Sequence, residues 1–369
     1  MKSSTSPALP DPRKLRRRLL AWYEARARDL PWRTSGDPWA VLLSEILLQQ
    51  TTVAAATPYY ERLLARWPDA AALAAAPLDE LLAEWAGLGY YRRARLLHRT
   101  ANVVAERGGE LPRAHAELLA LPGIGPYTAA AVASIAHGEA VAAVDGNVER
   151  VVARLIGLRD DVRRQPGKRR LAQAAQALLA PRRPGDWNQA VMELGATLCK
   201  PRSPDCPACP LRVDCVAHAR GDVEAYPVLP ARTPPTPVTL VAAVIVRRGR
   251  VLLRLRENAP NAGFLELPGA TLPEEQLTPD GAPLDGPAAL VAALHDAHAL
   301  KLEVREALPL HKHAITRWRL RVHPFRATLS SGAARAPLRW WSASDSSPPL
   351  TTASRRILAS AQPELLQLS

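Results

Sequence analysis

The sequence predicts a multidomain fold: an all-α domain over residues 1–225, a linker over residues 226–237 and an α+β domain over residues 238–369. Three observations predict this division. The apolar residues before position 226 fall into runs of helical length, and short breaks that contain Gly or Pro separate many of them. The linker has five Pro in twelve residues, which neither a helix nor an interior strand sustains. After the linker, runs rich in β-branched residues begin.

Individual elements follow from the same patterns. In the first domain, helices are expected near residues 40–50, 78–86, 114–121, 128–136 and 171–179. In the second domain, residues 238–246 and 251–256 flank the turn signal Arg248-Gly249 and are expected to pair as a hairpin. Residues 288–300 favour a helix. Residues 320–329 favour a strand, which Pro324 would confine to a sheet edge or a bulge.

The charge of the chain indicates a polyanionic partner. The 369 residues include 48 Lys and Arg against 35 Asp and Glu, a formal net charge of +13. The excess is spread over both domains, which suits nucleic acid. The alternative is a GC-rich genome that favours Arg codons, and charge alone does not separate the two. No signal peptide and no apolar run of about 18 residues is evident, so we expect a cytoplasmic protein without a membrane span.

The four cysteines form one cluster in the sequence. Cys199, Cys206, Cys209 and Cys215 are separated by six, two and five residues. Thiolates spaced this closely can close around a single centre, either a [4Fe–4S] cluster or Zn. They are too few for the disulfide framework of a secreted protein. Spacing and ligand type alone leave the choice between iron and zinc open.

A glycine-rich turn separates two of the expected helices. Residues 121–128 have the sequence LPGIGPYT. Gly123 and Gly125 permit a tight turn and leave backbone N–H groups uncovered, and with the N-terminus of the following helix these groups form an anion site. The turn is therefore a candidate for gripping a DNA phosphate without reading sequence. An ordinary interhelical turn is the alternative, since Pro and Gly suit it equally.

Two carboxylates are candidates for catalysis. Glu45 lies inside an apolar helical run, where burial would raise its pKa and suit a general acid. Asp145 follows the apolar residues 141–144, where it would face a developing positive charge. Breaking an N-glycosidic bond needs one group that protonates the leaving base and another that stabilises the oxocarbenium ion. From position alone, Glu45 also fits a partly exposed residue facing Arg side chains, and Asp145 also fits a helix N-cap.

These motifs occur in an order that resembles a known family. Residues 30–33 have the sequence LPWR, residues 44–51 SEILLQQT, residues 87–95 GLGYYRRAR and residues 145–147 DGN, and the glycine-rich turn, Asn188-Gln189 and the cysteines complete the set. Residues 13–225 thereby resemble the MutY family of adenine DNA glycosylases, within the endonuclease III-like helix–hairpin–helix superfamily. The resemblance implies a [4Fe–4S] cluster on the four cysteines. It also implies a double-stranded DNA partner that contains A:8-oxoguanine or A:G mispairs. No oligomerisation motif is evident, so we expect a monomer.

The resemblance implies chemical roles for matching residues. Glu45 is expected to protonate adenine N7, and Asp145 to stabilise the oxocarbenium ion, with Tyr127 and Asn147 supporting them. Endonuclease III-like lyases carry a Lys at the position of Tyr127. Because a phenol cannot form a Schiff base, we expect a monofunctional adenine DNA glycosylase of base excision repair. The alternatives are a bifunctional pyrimidine-lesion glycosylase/lyase and a non-catalytic lesion-binding protein.

Further residues match positions that contact DNA in the family. The positions that line the pocket for extruded adenine are Arg28, Trp32 and Gln189. The positions that wedge the duplex beside 8-oxoguanine are Gln50, Thr51, Leu88 and Tyr90. A planar ring such as that of Tyr90 can fill a gap in a base stack. It would offset part of the cost of flipping, which is about a few kcal/mol.

The second domain resembles the MutT-like, Nudix-fold domain of the same family. Residues 263–269, GFLELPG, match the stretch before a Nudix box, but the box itself is absent from the sequence. In the helical stretch 292–300 Asp296 is the only carboxylate, and hard divalent cations need several oxygen ligands, so pyrophosphatase activity is not expected. The expected role is recognition of 8-oxoguanine through the hydroxyl of Thr316, between Ile315 and Arg317, which depart from the family's pattern. Thr316 as an ordinary strand or turn residue is the alternative.

Overall fold

The computed structural model describes residues 11–230, 234–258, 262–315, 317–345 and 350–366. The chain divides into two units, Met1–Ala231 and Arg232–Ser369. Within the described ranges, no helix combines the length and the apolar character that crossing a bilayer requires.

The first unit is built from helices, as the sequence predicts. They are α1 (Pro12–Arg26), α2 (Pro38–Leu48), α3 (Val53–Arg66), α4 (Ala70–Ala75), α5 (Leu78–Glu84), α6 (Arg92–Glu106), α7 (His115–Leu119), α8 (Pro126–His137), α9 (Gly146–Ile156), α10 (Gly167–Leu178), α11 (Pro184–Thr197) and α12 (Val216–Arg220). The helical runs expected from the sequence coincide with α2, α5, α7, α8 and α10, with differences of a few residues at their ends.

Two large apolar cores and a small cluster of Ala130, Ala131 and Ala143 lie inside the first unit. One is formed by side chains of α2 to α8, with Leu42, Leu47 and Trp85 fully buried. The other is formed by side chains of α1, α9, α10 and α11, and the cysteine-containing segment packs against it. Helix α11 contacts both α8 of the first core and α9 of the second. Polar side chains at the boundary between the cores can therefore be held from both sides.

Local sequence sets the ends of the two helices that carry the candidate carboxylates. Helix α2 begins where Asp37 accepts a hydrogen bond from a first-turn backbone N–H. It ends at Leu48, two residues before Gln50, whose φ is 58°. Helix α9 begins at its N-cap Asp145 and ends at Gly157, which has the left-handed conformation typical of a helix C-terminus. Asp145 is thus a helix N-cap, which is one of the two roles that the sequence predicts for it.

The second unit combines helices with two sheets, which confirms the predicted α+β class. Its elements are β1 (Thr236–Val244), β2 (Val246–Arg247), β3 (Arg250–Leu255), β4 (Leu265–Glu266), β5 (Gly269–Thr271), α13 (Gly286–His298), β6 (Lys301–Ala307), β7 (His311–Ile315), β8 (Trp318–Ser331), β9 (Leu338–Trp341) and α14 (Thr352–Ala361). One sheet has the order β5-β1-β8-β6, with β7 also paired to β8. The other has the order β2-β3-β4, with β9 paired to β3.

The predicted hairpin is only half right. Arg248 and Gly249 do form a turn at positive φ, and β2 pairs with β3 across it. However, the run expected as one strand over residues 238–246 divides into β1 and β2, which belong to different sheets. β1 pairs in parallel with β8 instead. Because residues 240–246 are all apolar, no local signal marks the break.

The sequence predicts a sheet edge or a bulge for Pro324, and the sheet-edge alternative is wrong. β8 is a central strand, paired with β1 from Trp318 to Arg326. On its other side, β7 pairs with β8 as far as Val322, and β6 pairs with it from Phe325 onward. Pro324 therefore lies where one partner strand ends and another begins. A residue without a backbone N–H is tolerated there because the ladder is interrupted at that point.

The predicted linker is partly packed against the first unit. Tyr226 is buried, and Val228 forms an isolated β-bridge with Asp161. The buried guanidinium of Arg154 donates to the Tyr226 carbonyl at 3.2 Å. β1 begins at Thr236, inside the range expected for the linker. Residues 231–233 lie outside the described residues.

Candidate active site

A cleft of about 1070 Å³ opens at the boundary between the two cores of the first unit. Helices α2, α8 and α11, the start of α9 and the segment before α2 all contribute to its walls. The residues predicted from the sequence that line this cleft are Arg28, Trp32, Glu45, Gln50, Thr51, Tyr127, Asp145, Asn147 and Gln189. The fold thus brings into one cavity side chains that are widely separated along the chain.

Glu45 is a buried carboxyl on α2. The hydroxyl of Tyr127 on α8 donates a hydrogen bond of 2.5 Å to Glu45 Oε2. Burial raises the pKa of Glu45 to about 7; the Tyr127 hydrogen bond opposes this rise, and the charge of Asp145 adds to it. Much of this carboxyl is therefore protonated at neutral pH, which is the state a proton donor needs.

Tyr127 is a neutral donor in this arrangement. Burial and the charges of Glu45 and Asp145 raise the pKa of its hydroxyl well above the ordinary range. The same hydroxyl lies 3.6 Å from Met192 Sδ on α11. Tyr127 therefore keeps its proton at neutral pH and orients Glu45 without competing for the role of acid.

Asp145 is held at the opening of α9 by two donors. Its Oδ1 accepts from the Val148 backbone N–H at 2.7 Å, and its Oδ2 accepts from Asn147 Nδ2 at 2.9 Å. Burial raises the pKa of Asp145, while these donors and the positive charge of Arg150 lower it. A carboxylate fixed in this way is preorganised to face a positive charge that develops in the cleft.

Arg150 connects Asn147 to the cysteine-containing segment. Its Nη2 donates to Asn147 Oδ1 at 2.9 Å, and its Nε donates to the Cys199 carbonyl at 2.7 Å. The helices approach closely here, since a Cβ added to Gly195 on α11 would lie 2.6 Å from Asn147 Cβ. Asn147 is thus fixed both by its own helix and by the neighbouring one.

An ion cluster that the sequence patterns do not reveal lies in the wall of the cleft. Glu193 on α11 is fully buried and accepts hydrogen bonds from Arg28 Nε at 2.7 Å and Arg28 Nη2 at 2.8 Å. Arg33 Nη2 donates to Glu193 Oε2 at 2.7 Å. Burial alone would raise the pKa of Glu193, but hydrogen bonds from Arg28 and Arg33 lower it. The available signal was a carboxylate four residues after Gln189 in an apolar helix, which requires a cationic partner.

Asn188 lies next to Gln189 but does not line the cleft. Its Nδ2 donates to Ser134 Oγ at 2.8 Å and to the Val141 carbonyl at 2.9 Å. Its Oδ1 accepts from the Ala143 backbone N–H at 3.2 Å. Asn188 therefore ties the extended segment that leads into Asp145 to α8 and α11.

The loop between α5 and α6 contains Leu88 and Tyr90, and neither lines the cleft as Gln50 and Thr51 do. Tyr90 is 54% exposed, more than any other Tyr among the described residues. Its backbone has a φ of 51°. An exposed aromatic ring on a strained backbone is typical of a binding site, and the combination is visible only in the structure.

The glycine-rich turn joins α7 to α8. Gly123 has a φ of 81°, and a Cβ there would lie 2.7 Å from Leu96 Cβ, so the turn requires glycine at this position. Gly125 is the N-cap of α8 with a φ of −91° and open space around it. No side chain caps this helix N-terminus. The turn therefore requires glycine at Gly123, whereas neither the backbone conformation nor the space around Gly125 requires glycine there.

The four cysteines are partly buried, and Cys199, Cys209 and Cys215 pack against the second core. Burial raises the pKa of Cys209 to about 12, and the charges of the other three cysteines add to the rise. Arg154 Nη1 lies 3.3 Å from Cys199 Sγ. In the described part of the chain, no three His, Cys, Asp or Glu side chains converge as the ligands of one metal ion do.

Thr316, the residue predicted to contact 8-oxoguanine, lies outside the described residues. Its neighbours in the structure are the end of β7 at Ile315 and the start of β8 at Trp318.

Comparisons with known proteins agree with this architecture. A family model for the HhH-GPD superfamily base excision DNA repair protein matches residues 43–181, a range that contains Glu45 and Asp145. Adenine DNA glycosylase of Mycolicibacterium smegmatis is 44% identical over 212 residues, covering 57% of this chain and 70% of that protein. A solved thermostable thymine-DNA glycosylase is 29% identical, with 57% of this chain and 97% of that chain covered, at a TM-score of 0.53.

Other relatives are longer or match another part of the chain. Adenine DNA glycosylase of Rattus norvegicus is 46% identical over 233 residues, covering 59% of this chain and 45% of that protein, so the chain spans about half the length of this relative. A MutT Nudix hydrolase from Burkholderia pseudomallei is 26% identical, covering 34% of this chain and 99% of that chain, at a TM-score of 0.28. From its motifs, its helical fold and its curated relatives, we conclude that the chain belongs to the adenine DNA glycosylase family.

Proposed function

We propose that this protein is a monofunctional DNA glycosylase that removes adenine mispaired with 8-oxoguanine or G in duplex DNA. One observation carries the proposal: a buried carboxyl with a pKa of about 7, Glu45, shares a cleft with a second, firmly held carboxyl, Asp145. Two carboxyls in different environments can divide the roles of acid and cation stabiliser. That division is what cleavage of an N-glycosidic bond requires.

In the proposed reaction, Glu45 gives its proton to N7 of an extruded adenine. The C1′–N9 bond then breaks and its electron pair goes to the protonated base, which leaves as neutral adenine. Asp145 stabilises the oxocarbenium ion that remains. Water adds to C1′ and gives up a proton that restores Glu45. The cost of removing adenine from the stack is about a few kcal/mol, offset by contacts in the cleft.

Substrate binding is proposed for the remaining predicted residues. The adenine would contact Trp32, Arg28 and Gln189, and Glu193 would hold Arg28 in place through its two short hydrogen bonds. Gln50, Thr51, Leu88 and Tyr90 would enter the duplex at the mispair. The uncapped N-terminus of α8 and the turn at Gly123 and Gly125 would bind a DNA phosphate. The protein would act as a monomer.

The second unit is proposed to recognise 8-oxoguanine. The resemblance of this unit to the corresponding domain of the family supports the proposal. The role of Thr316 within it is supported by the sequence alone, because that residue lies outside the described residues.

We expect base release without strand scission. In single-turnover experiments, adenine should be released fastest opposite 8-oxoguanine, more slowly opposite G, and thymine glycol opposite A should be untouched. Because Tyr127 cannot form a Schiff base, strand breaks should appear only after an alkaline step, and borohydride should trap no protein on DNA. Cleavage without alkali, together with efficient trapping, would support a lyase instead. Tight lesion binding without any release would favour a non-catalytic protein.

We also propose that the four cysteines hold a [4Fe–4S] cluster. Four thiols from one short segment are the donor set that such a cluster takes. Their partial burial and the guanidinium of Arg154 near Cys199 Sγ suit a buried anionic centre. When bound, the cluster would tie the segment 199–215 together and present Lys200, Arg202 and Arg212 to a phosphate backbone. We assign it no step in the cleavage reaction.

Elemental analysis of the purified protein tests this assignment. We expect about four irons and four sulfides per chain, with visible absorption from the cluster. Substituting Cys206 with Ser should lower the iron content because it removes one ligand. One zinc per chain, with no iron or sulfide in protein prepared without oxygen, would establish the zinc alternative.

A further inference from the structure

Arg93, at the start of α6, bridges two loops that the proposed function brings to the DNA. We define the Gln50 loop as residues 49–52 and the Tyr90 loop as residues 85–91. Arg93 Nη2 donates to Thr51 Oγ1 at 3.2 Å, and Arg93 Nη1 donates to the Gln49 carbonyl. On its other side, the guanidinium carbon lies 5.3 Å from the ring centroid of Tyr90 and 5.6 Å from that of Trp85.

The same side chain holds the end of α2. Arg93 Nη1 also donates to the carbonyls of Ile46 at 3.0 Å and Leu47 at 2.9 Å. These carbonyls belong to the last turn of α2, where no intrahelical partner remains and a cation is favoured. Arg93 is 8% exposed, and its Nε is buried without a hydrogen-bond partner. Its contacts with the loops and with α2 therefore determine the orientation of the guanidinium.

Both loops contain a backbone conformation that a side-chain-bearing residue rarely adopts. Gln50 has a φ of 58° and Tyr90 a φ of 51°. Such conformations are costly and persist only where surrounding contacts enforce them. Trp85 and Tyr59 supply part of this support, since Trp85 Nε1 donates to the Gly89 carbonyl at 3.0 Å and the Tyr59 hydroxyl to the Ala86 carbonyl at 2.8 Å. Arg93 contacts both loops.

We propose that Arg93 is a positioning residue that holds the Gln50 loop and the exposed ring of Tyr90 at a fixed separation, so that both enter the duplex together at the mispair. The inference rests on the proposed function, because it assumes that these loops contact DNA. Arg93 touches no reacting atom. It acts through Tyr90 and through the loop that follows the helix carrying Glu45.

The chemistry of the side chain explains why arginine is needed. A guanidinium can donate to carbonyls in its plane while its face stacks on an aromatic ring. Lysine would retain the charge but could not combine these contacts, and methionine would retain bulk alone. Misplacement of a binding group by about 1 Å can cost on the order of 10²-fold in rate. We therefore expect Arg93→Met to slow adenine release by about that factor and Arg93→Lys to recover only part of it.

The experiment uses the full chain and two readouts. The first is single-turnover adenine release opposite 8-oxoguanine. The second is the fluorescence of 2-aminopurine placed beside the 8-oxoguanine, which reports unstacking without chemistry. Variants are Arg93→Met, Arg93→Lys, Tyr90→Ala and the double variant Tyr90→Ala with Arg93→Met. Arg99→Met is the matched control, because it removes the same charge from an exposed position of α6. Thermal unfolding is measured for every variant.

The inference predicts that Arg93→Met reduces both unstacking and release, while Arg99→Met behaves as the wild-type protein. It also predicts that the loss in the double variant is smaller than the product of the two single losses, because both substitutions disable one unit. The inference would be overturned if the losses of the two single variants multiplied in the double variant. It would also be overturned if Arg93→Met lowered the Tm but left unstacking and adenine release normal. If the wild-type protein unstacks the duplex but releases no adenine, the proposed function fails, and the unstacking data still decide the role of Arg93.

Discussion

Substituting Glu45 with Gln should abolish adenine release and leave binding to the mispaired duplex nearly unchanged. The amide has almost the same shape as the carboxyl. It can still accept the hydrogen bond from Tyr127, which is 2.5 Å long in the wild-type protein. It cannot donate a proton to a leaving base, and a general acid contributes about 10²–10⁴-fold to rate. Single-turnover base release and a binding titration on the same duplex separate the two effects.

The pH dependence of the wild-type rate follows from the same residue. Burial raises the pKa of Glu45 to about 7, and the acid must be protonated to act. The rate should therefore fall as pH rises through about 7. Tyr127→Phe removes a hydrogen bond that lowers this pKa, so the falling limb should move to higher pH in that variant.

Glu61 provides a matched control for the Glu45 substitution. It is an exposed glutamate on α3, and Glu61→Gln should change neither the rate nor its pH dependence. Turnover retained in Glu45→Gln would remove Glu45 from the mechanism. Loss of duplex affinity together with a lowered Tm would instead indicate a structural role.

Substituting Asp145 with Asn should also stop base release, for an electrostatic reason. The carboxylate supplies the negative charge that faces the oxocarbenium ion, and a neutral amide does not. The loss of one preorganised electrostatic contact costs about 10²–10³-fold in rate. The free energy of unfolding should change little, because Asn is as good an N-cap as Asp. Its side-chain oxygen can still accept the hydrogen bond from the Val148 backbone N–H, which is 2.7 Å long in the wild-type protein.

Single-turnover rates and thermal unfolding of Asp145→Asn are the measurements. Asp69, the exposed N-cap of α4, provides the control, since Asp69→Asn makes the same change at another helix start. We expect both variants to have a wild-type Tm, and only Asp145→Asn to lose activity. A normal rate in Asp145→Asn would show that capping α9 is the whole role of this side chain.

The fold class could be predicted from local signals in the sequence, whereas most residues of the cleft could be predicted only through the resemblance to a family. Helical periodicity identifies α2 and α8, but position alone leaves Glu45 open to either burial or partial exposure, and the structure shows that it is buried. The partner of Glu45 could not be predicted from those patterns, since Tyr127 lies 82 residues further along the chain. Only the resemblance to a family connected the two.

The features that sequence reasoning missed depend on tertiary pairing. Glu193 appears as one carboxylate in an apolar helix, and its partners Arg28 and Arg33 come from a distant segment. Arg93 is one arginine among several in α6, and its importance follows from where the two loops meet it. The division between β1 and β2 cannot be predicted from the sequence, because residues 240–246 form an uninterrupted apolar run.

The position of Glu45 also has a consequence for folding. In an unfolded chain its carboxyl would ionise near pH 4.5, whereas in the folded protein the pKa is raised to about 7. Between those values the folded state binds more protons than the unfolded state, so stability falls as pH rises. The free energy of unfolding is lower by about 3 kcal/mol once the Glu45 carboxyl is ionised in both the folded and the unfolded state. In this protein, an acid at this position therefore weakens the fold at alkaline pH, and the burial of apolar side chains in its two large cores must offset that loss.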